Sequence, residues 1–278
     1  MQIIPGIDAL RRRLPRAKRI AFVPTMGNLH DGHLALVKQA RQNADCVVVS
    51  IFVNPLQFGP NEDYAHYPRS FAEDCVKLKA LGTEFVFNPE AAEILGAEQR
   101  VFVELPAIAN ELEGAFRPGF FRGVATIVLK LFNIVQPATA VFGNKDYQQL
   151  HIVRLVTQQL NLPVKIVAVD TVRADDGVAL SSRNGYLSAD QRARAPRLYE
   201  NLQRVGENIR NGDRGFEALE SSARAELESG GWRVDYVSIR NADTLQSALP
   251  GDTRFVVLGA ARLGETRLID NLEICVGG

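Results

Sequence analysis

Residues 20–33 constrain the fold of this chain more than any other stretch of its sequence. The first four, residues 20–23, are apolar and have the length and β-branched content of a buried strand. A turn that contains Gly27 follows, and from His30 onward apolar residues recur at helical spacing. A strand, a tight turn and a helix in this order are typical of a parallel α/β sheet.

The junction between this turn and its helix is suited to an anion, because helix N-termini expose unpaired N–H groups and a partial positive charge. His30 and His33 stand three residues apart, which places both imidazoles on one face of the first helical turn. Gly32 between them leaves the backbone open to a ligand. Two imidazole donors beside bare backbone suit a polyphosphate, in a pattern that is neither the Walker nor the G-x-G-x-x-G kind.

Two other interpretations of these histidines are open. A pair at this spacing can ligate zinc, although zinc sites usually have at least three protein ligands and Asp31 points away from the shared face. The pair could equally be solvent-exposed side chains without a function.

Composition excludes several classes of function. The formal net charge is zero and the pI is near 6.9, so no global field favours nucleic acid or an anionic membrane. No apolar stretch approaches the roughly 18 residues of a membrane span, and the first residues lack the pattern of a signal peptide. The three cysteines are widely spaced and form no C-x-x-C, which favours reduced thiols and predicts a cytoplasmic protein.

One local exception to the neutral charge is a basic cluster near the start of the chain. We expect this cluster to decorate the exposed side of a short first helix rather than to bind a polyanion. Its members are Arg11, Arg12, Arg13, Arg16, Lys18 and Arg19.

Strand and helix patterns alternate through the first two thirds of the chain. Apolar runs predict strands at 46–53, 84–87, 140–142 and 164–169, and helical spacing predicts helices at 70–81, 124–135 and 147–160. Ser70 and Glu73 suggest a capping box on the first of these helices, and residues 114–123 are too rich in Gly and aromatics for a regular element. The alternation predicts a Rossmann-like, doubly wound parallel sheet over residues 1–184.

The pattern changes from about Ser188. Two polar helical stretches, 189–211 and 214–229, precede strand patterns at 234–239, 255–258 and 266–269. This predicts a smaller C-terminal α+β domain over residues 185–278, which could close as a lid over a ligand bound to the sheet.

Three further polar segments lie where ligands bind in open α/β folds. Asn54 and Gln57 follow the second strand, and Lys145 lies on a Gly turn where its charge would suit phosphate oxygens. Residues 181–183 form a Ser-Ser-Arg triplet with two hydroxyls and a fork-shaped guanidinium. Taken singly, Lys145 could be a solvated surface lysine and the triplet an ordinary loop.

Together these motifs resemble the pantothenate synthetase (pantoate–β-alanine ligase) family, of the His-x-Gly-His adenylyltransferase superfamily. Pro-Thr-Met-Gly with His-x-Gly-His, Asn-Pro-x-Gln-Phe, Gly-x-Lys-Asp-Tyr-Gln-Gln and Ser-Ser-Arg occur in the family's order along nearly the whole chain. The sequence departs from the family at Asn28 and Asp31, where Ala and Glu are usual, and at Asn144, where an acidic residue is common.

The resemblance implies an ATP-dependent condensation of pantoate with β-alanine through a pantoyl adenylate, with Mg²⁺ bridging phosphate oxygens, in a homodimer. It implies catalytic roles for His30, His33, Lys145 and Arg183. Pantoate or β-alanine contacts are implied for Gln57, Gln149, Asn54 and Arg117, the last from an Arg-Pro-Gly segment. The implied ATP-binding residues are Met26, Gly27, Asn28, Leu29, His30, Asp31, Gly32, His33, Gly143, Asn144, Lys145, Asp146, Val172, Leu180, Ser181, Ser182 and Arg183.

The residue inventory fits such a reaction, which needs positioning and positive charge for a departing pyrophosphate. The histidines, Lys145 and residues 181–183 are expected to provide both. No nucleophile motif is evident, and none is needed. The carboxylates of Glu73 and Asp74 could lend a metal ligand, although a solvated helix face is the simpler interpretation.

Two rival functions remain. A nucleotidyltransferase that adenylates a phosphate ester would use the same fold, but it would need basic residues where Gln57 and Gln149 are neutral. A non-catalytic nucleotide-binding protein is the second, and the intact Lys145 and Ser-Ser-Arg triplet count against it.

Overall fold

The structure is a computed structural model, and it describes residues 1–15, 19–60 and 62–277. Arg11, Arg12 and Arg13 are exposed in the last turn of helix α1 (Ile7–Arg13), as the basic cluster predicted. Arg16 and Lys18 of that cluster lie outside the described residues. No helix among the described residues is long and apolar enough to cross a membrane.

The N-terminal part is built on a six-stranded parallel sheet, which confirms the predicted doubly wound fold. Its spatial order is β1-β4-β3-β2-β5-β6, so the order of the strands reverses between β2 and β5. In such sheets ligands bind in the crevice at the carboxyl ends of the strands flanking this reversal. The strands are β1 (Gln2–Ile4), β2 (Ile20–Thr25), β3 (Cys46–Ile51), β4 (Phe85–Phe87), β5 (Thr139–Gly143) and β6 (Lys165–Val169).

Helices cover both faces of this sheet. Phe22 of β2 packs in a cluster with Phe132, while its neighbour Val23 packs on the opposite face with Val37. This alternation explains why β2 reads as a continuous apolar run: both faces are buried. Beside α1 the helices are α2 (Asp31–Asn43), α3 (Phe71–Ala80), α4 (Ala91–Leu95), α5 (Glu113–Phe116), α6 (Phe120–Val135) and α7 (Tyr147–Gln159).

The prediction that residues 114–123 form no regular element is wrong, because α5 and the first turn of α6 lie within them. The glycines serve close packing. A Cβ built on Gly114 would lie 1.9 Å from the carbonyl oxygen of Ala109, and one on Gly123 would lie 2.1 Å from that of Leu56. Glycine allows these close approaches to neighbouring backbone.

The C-terminal part is a three-stranded antiparallel sheet in the order β7-β8-β9, packed against helices. This confirms the smaller α+β unit, whereas its boundary after residue 184 stays a prediction. The first predicted helix is two helices, which meet at Pro196, a residue without a backbone N–H. The elements are α8 (Ala189–Arg194), α9 (Arg197–Arg210), α10 (Phe216–Ser229), β7 (Arg233–Asn241), β8 (Arg254–Leu263) and β9 (Thr266–Cys275).

The two sheets meet through apolar and polar contacts. Tyr147 and Leu112 pack with Leu245 and Leu258 in one buried cluster. The Tyr147 hydroxyl donates to the carbonyl oxygen of Ala242 at 3.0 Å. The C-terminal sheet is thereby held against the first turn of α7, beside the carboxyl end of β5.

Candidate active site

Two adjoining cavities open at the carboxyl ends of β2 and β5. One, of about 230 Å³, lies under the β2–α2 turn, and the other, of about 420 Å³, lies between the two sheets. Lys145, Gln149, Ser181 and Arg183 line both cavities. Arg117 and Asp146 also line both. The smaller cavity is further lined by ten of the other predicted residues: Met26, His30, Gly32, His33, Asn54, Gln57, Gly143, Val172, Leu180 and Ser182.

The β2–α2 turn owes its shape to left-handed backbone and to one buried carboxylate. Gly27 and Asn28 have φ of 86° and 52°, a region that glycine enters freely and Asn tolerates better than most residues. The backbone N–H groups of Asn28 and Leu29 each donate to the carboxylate of Asp74 at 2.8 Å. Asp74 is fully buried, and it also accepts from the Ser70 hydroxyl at 3.2 Å.

These contacts correct two expectations about α3. Asp74 is not part of a solvated helix face, and the metal-ligand alternative for Glu73 and Asp74 does not fit the geometry, because Glu73 is exposed and Asp74 binds the turn. The predicted capping box of Ser70 and Glu73 is also wrong. The Ser70 side chain makes no capping bond and contacts Asn28 and Asp74 instead.

His30 is the N-cap of α2, and the two histidines hold each other in place. The Gly32 N–H donates to Nδ1 of His30 at 3.2 Å, and the His30 N–H donates to Nδ1 of His33 at 3.3 Å. The ring centroids lie 4.1 Å apart with the ring planes tilted by 43°, and a Cβ on Gly32 would lie 2.8 Å from the His30 ring. Because both Nδ1 atoms accept, each neutral imidazole carries its proton on Nε2 and can donate it to a ligand.

The two histidines are therefore neutral and can donate hydrogen bonds, but they add no positive charge to the site. Burial lowers the pKa of His30 to about 4 and that of His33 to about 3, and for His33 the neighbouring His30 is the second cause. Among the described residues, no group of three metal-binding side chains surrounds them. The zinc interpretation thus lacks the further ligands it needs.

This protonation behaviour predicts a loss of stability in mild acid. Between about pH 4 and 6.5 the unfolded chain binds protons that the folded histidines exclude, so the free energy of unfolding should fall as the pH is lowered through this range. Each histidine contributes a slope of about 1.4 kcal/mol per pH unit. Urea unfolding at several pH values should show a shallower slope for His33→Asn, whose side-chain oxygen can replace Nδ1 as acceptor. An unchanged slope would contradict the neutral imidazole.

Lys145 lies on the short 3₁₀ turn between β5 and α7, directly before the α7 N-terminus. Its side chain is 19% exposed, and its Nζ is 3.9 Å from the nearest Asp146 carboxylate oxygen. That distance is at the limit of an ion pair, so the cation stays available to an anionic ligand. The structure thus sets Lys145 between the cavities as a positive charge beside a helix N-terminus.

Residues 181–183 form the third wall of the smaller cavity. The Ser182 hydroxyl donates to the Asn28 carbonyl oxygen at 3.2 Å, which ties this loop to the β2–α2 turn. Arg183 donates from Nε and Nη2 to the carboxylate of Asp63, at 3.1 and 2.8 Å. Burial alone would raise the pKa of Asp63, but the hydrogen bonds and charge of Arg183 hold that pKa below its usual value. The pair is therefore ionised and keeps the guanidinium in a fixed orientation.

Among the predicted substrate residues, Asn54 and Arg117 hydrogen-bond to Gln57 and fix its position. Gln57 receives a 2.9 Å bond from the buried amide of Asn54 and lies 3.1 Å from the Met26 sulfur. Arg117 donates to the Gln57 carbonyl oxygen and, through its remaining nitrogens, to Glu62 and Glu113. Asn54 and Arg117 thus position Gln57, and a direct substrate contact by either stays a prediction. Gln149 lines both cavities.

Five predicted nucleotide contacts do not line either cavity. Leu29 is a core side chain at 2% exposure, and Asp31 is exposed on the first turn of α2. Asn144 points away and donates to Asp170 at 3.0 Å. Gly27 and Asn28 contribute the backbone of the turn rather than its lining.

Sequence reasoning also missed three side chains at the site. Glu62 and Asp63 bind the two arginines, and Tyr67 is a buried wall of the smaller cavity. They lie in an irregular stretch after β3 where neither periodicity nor a spaced motif marks them. The one sequence feature that could have drawn attention to them is the acidic pair Glu62-Asp63 after Gly59-Pro60. Its role becomes clear only from its partners, Arg117 and Arg183.

Comparisons with known proteins agree with this arrangement. The family model described as pantoate-beta-alanine ligase matches residues 2–273. The pantothenate synthetase of Nitrosospira multiformis is 59% identical over 274 residues, which cover 99% of this chain and 98% of that protein.

Solved structures agree in fold as well. The crystal structure of the pantothenate synthetase of Thermus thermophilus superimposes with a TM-score of 0.93 at 43% identity, and the match covers 98% of this chain and 99% of that one. The pantoate-beta-alanine ligase of Francisella tularensis, complexed with beta-gamma ATP and beta-alanine, gives a TM-score of 0.81 at 35% identity over 98% and 97% of the two chains. Agreement in sequence and in fold over almost the whole length shows that this chain belongs to the pantoate–β-alanine ligase family.

Proposed function

We propose that this chain condenses pantoate with β-alanine, using ATP and releasing AMP and pyrophosphate through a pantoyl adenylate. Family membership makes it an ATP-dependent ligase that forms an amide bond. One observation carries the proposal further: the histidine turn, Lys145 and residues 181–183 converge on one cavity, and the neutral Gln57 and Gln149 lie in the same cavity. The Francisella relative, complexed with beta-gamma ATP and beta-alanine, supports these small-molecule substrates.

In the first step a pantoate carboxylate oxygen attacks the α-phosphorus of ATP, and the bond to the β-phosphate breaks. The departing pyrophosphate takes the electron pair, so negative charge grows on its oxygens. Nε2–H groups of His30 and His33, the Lys145 ammonium and the residue 181–183 loop provide donors and charge for it. No enzyme nucleophile is required, because both substrates are held in one site.

In the second step the neutral amine nitrogen of β-alanine attacks the acyl carbon, and AMP leaves with the electron pair of the broken anhydride bond. The nitrogen releases one proton to solvent, which leaves the neutral amide. The larger cavity between the sheets adjoins the nucleotide cavity and gives the amino acid a way to reach the adenylate. The adenylate must be shielded from water until the amine arrives. We infer that α5, the start of α6 and the C-terminal domain provide this cover.

The acceptor side of the site favours pantoate over the phosphate ester of a nucleotidyltransferase. Gln57 and Gln149 offer amide donors and acceptors, which suit a hydroxy acid. Arg117, the cation beside Gln57, is paired with Glu62 at 2.7 Å and with Glu113 at 3.3 Å. These two carboxylates offset its charge, so the pocket lacks the net positive charge that a second phosphate would need.

We infer that Mg²⁺ accompanies ATP. The described residues contain no cluster of three metal-binding side chains, which fits an ion held mainly by phosphate oxygens and water, as Mg²⁺ usually is. We infer that Asp146, which lines both cavities with a half-exposed carboxylate, would help to hold it. When bound, the ion would neutralise charge on the phosphates.

The assay that tests the function measures AMP release with each substrate omitted in turn. We expect AMP only when ATP, pantoate and β-alanine are all present. A nucleotidyltransferase would incorporate AMP into a phosphate ester, and a non-catalytic binder would bind ATP without turning it over. Either result would replace the proposed function.

A pyrophosphate burst tests the two-step mechanism. With ATP and pantoate but no β-alanine, rapid quench should show about one pyrophosphate per site released quickly, followed by near arrest, because a shielded adenylate hydrolyses slowly. Continued turnover to AMP and free pantoate would mean an unshielded site. No pyrophosphate until β-alanine is added would mean a concerted reaction of three substrates.

We also propose a cellular location and an oligomeric state for the protein. We infer a cytoplasmic enzyme from the three widely spaced cysteines, which form no paired motif. We propose a homodimer, on the family resemblance alone. Analytical ultracentrifugation would test the dimer.

A further inference from the structure

The C-terminal sheet contacts the phosphate side of the site through strand β9. Two consecutive residues of that strand, Asp270 and Asn271, are 5% and 7% exposed. Both line the larger cavity. They bind different loops of the N-terminal part, and these two loops carry Lys145 and the Ser-Ser-Arg triplet.

Asn271 binds the Lys145 turn. Its side-chain nitrogen donates to the carbonyl oxygens of Asn144 and Lys145, each at 2.9 Å. A primary amide has two N–H groups, so each carbonyl can receive one. The two carbonyls belong to the peptide units on either side of the Lys145 Cα. Because peptide units are planar, holding both of them sets the backbone dihedrals of Lys145 and the direction in which its side chain leaves the turn.

Asp270 binds the second loop through Arg173. Its carboxylate accepts from Nη1 and Nη2 of Arg173 at 2.7 and 2.8 Å, and the guanidinium lies 3.4 Å from the centroid of the Tyr199 ring. Arg173 pairs with Ala179 in a short antiparallel hairpin, which leads directly into residues 181–183. Strand β9 therefore fixes the Lys145 turn and the hairpin before residues 181–183 relative to each other.

Docking of the two sheets does not depend on the Asn271 amide. The buried cluster of Tyr147, Leu245 and Leu258 joins them. Arg240 pairs with Glu111 at 2.8 Å across the same interface, away from the Lys145 turn. Loss of the Asn271 donors should thus leave the sheets together and release the turn.

We propose that Asn271 is a positioning residue that aims Lys145 at the departing pyrophosphate, with Asp270 fixing the neighbouring hairpin, so that the C-terminal sheet completes the phosphate side of the site. The proposal rests on the proposed function of Lys145. Asn271 touches no reacting atom, and its effect passes through the lysine.

A double-mutant cycle between Asn271 and Lys145 tests this coupling. Asn271→Leu keeps the shape of the side chain and removes both donors. We expect it to lower the rate of the pyrophosphate burst by about 10- to 100-fold, as small misplacements of a catalytic group do, with the KM for pantoate within twofold of wild type. In the Lys145→Ala background Asn271→Leu should lower the burst rate by less than threefold, because no lysine remains for Asn271 to position.

Glu111→Ala is the matched control, because it removes another polar contact between the sheets and should leave the burst rate unchanged. A similar loss from Asn271→Leu in both backgrounds, or a burst rate within twofold of wild type, would overturn the proposal. Should Asn271→Leu fail to fold by circular dichroism, Asn271→Ala removes the same donors without a steric demand and must show the same coupling.

A calorimetric titration with inorganic pyrophosphate separates this inference from the proposed function. Wild-type protein that makes no pantothenate would refute the function. The cycle can still be read from pyrophosphate affinity, which Asn271→Leu should weaken in the wild-type background and leave unchanged in Lys145→Ala. Equal weakening in the two backgrounds would overturn the positioning role even in an active enzyme.

Discussion

Lys145→Ala is expected to lower kcat for pantothenate formation by about 10²- to 10³-fold, the usual cost of losing one charge-stabilising donor. Lys145 lies between the two cavities, and its ammonium makes only a 3.9 Å approach to Asp146. Its charge is needed most as pyrophosphate departs, so the loss should fall on the transition state. The KM for pantoate should change little, because we expect the amide groups of Gln57 and Gln149, rather than this lysine, to bind pantoate.

Steady-state kinetics with saturating β-alanine measure this effect. Lys38→Ala is the matched control, since Lys38 is exposed on α2 and lines neither cavity. Lys145→Arg should recover part of the rate, because it keeps the charge but not the shape of the ammonium. A change below threefold in Lys145→Ala would make this lysine an ordinary surface residue.

Asp74→Ala should lower the free energy of unfolding by about 2–6 kcal/mol, because it leaves the N–H groups of Asn28 and Leu29 without their acceptor, each at about 1–3 kcal/mol. The carboxylate is fully buried, and its two bonds of 2.8 Å span from α3 to the β2–α2 turn. That turn leads into His30. Its release should therefore also weaken ATP binding.

Urea unfolding and calorimetry with ATP, both in the presence of a chelator, measure the two effects. Glu73→Ala is the control: the neighbouring carboxylate is exposed and should leave stability and ATP affinity unchanged. Asp74→Asn should fall between the two, because its single amide oxygen can accept one of the bonds. If both alanine variants kept wild-type stability and ATP affinity under these conditions, and instead raised the Mg²⁺ concentration needed for activity in an assay without chelator, these residues would be metal ligands after all.

Local patterns were enough to place the sheet and to bring most of the predicted site residues to one cavity. The apolar runs at residues 20–23 and 46–53 predicted buried parallel strands correctly, because a strand covered on both faces needs no polar alternation. The loops after β2 and β5 followed from topology, since ligand sites in such sheets lie at the carboxyl ends of strands. His30, Lys145 and residues 181–183 could therefore be brought together from sequence alone.

Local patterns failed where a residue's role depends on a partner far along the chain. Asp74 looked like a surface carboxylate, yet its partners lie more than forty residues away, in the β2–α2 turn. No local pattern indicated that the nitrogens of Arg117 bind Glu62, Glu113 and the Gln57 backbone. Gly114 looked like a loop residue because close packing against the Ala109 carbonyl leaves no periodic signal.

The sequence by itself thus determined the fold class, the order of the loops around the sheet and most of the predicted residues that meet at one cavity. Strand burial and helix periodicity, on which these inferences rest, are local properties of the chain. Only the tertiary structure decided the protonation state and the side-chain orientation of those residues. Burial keeps His30 and His33 neutral, Asp63 orients Arg183, and Asn271 binds the carbonyls on both sides of the Lys145 Cα. Each of these effects requires groups distant in sequence to be brought within hydrogen-bond distance or out of water, and no local pattern encodes that.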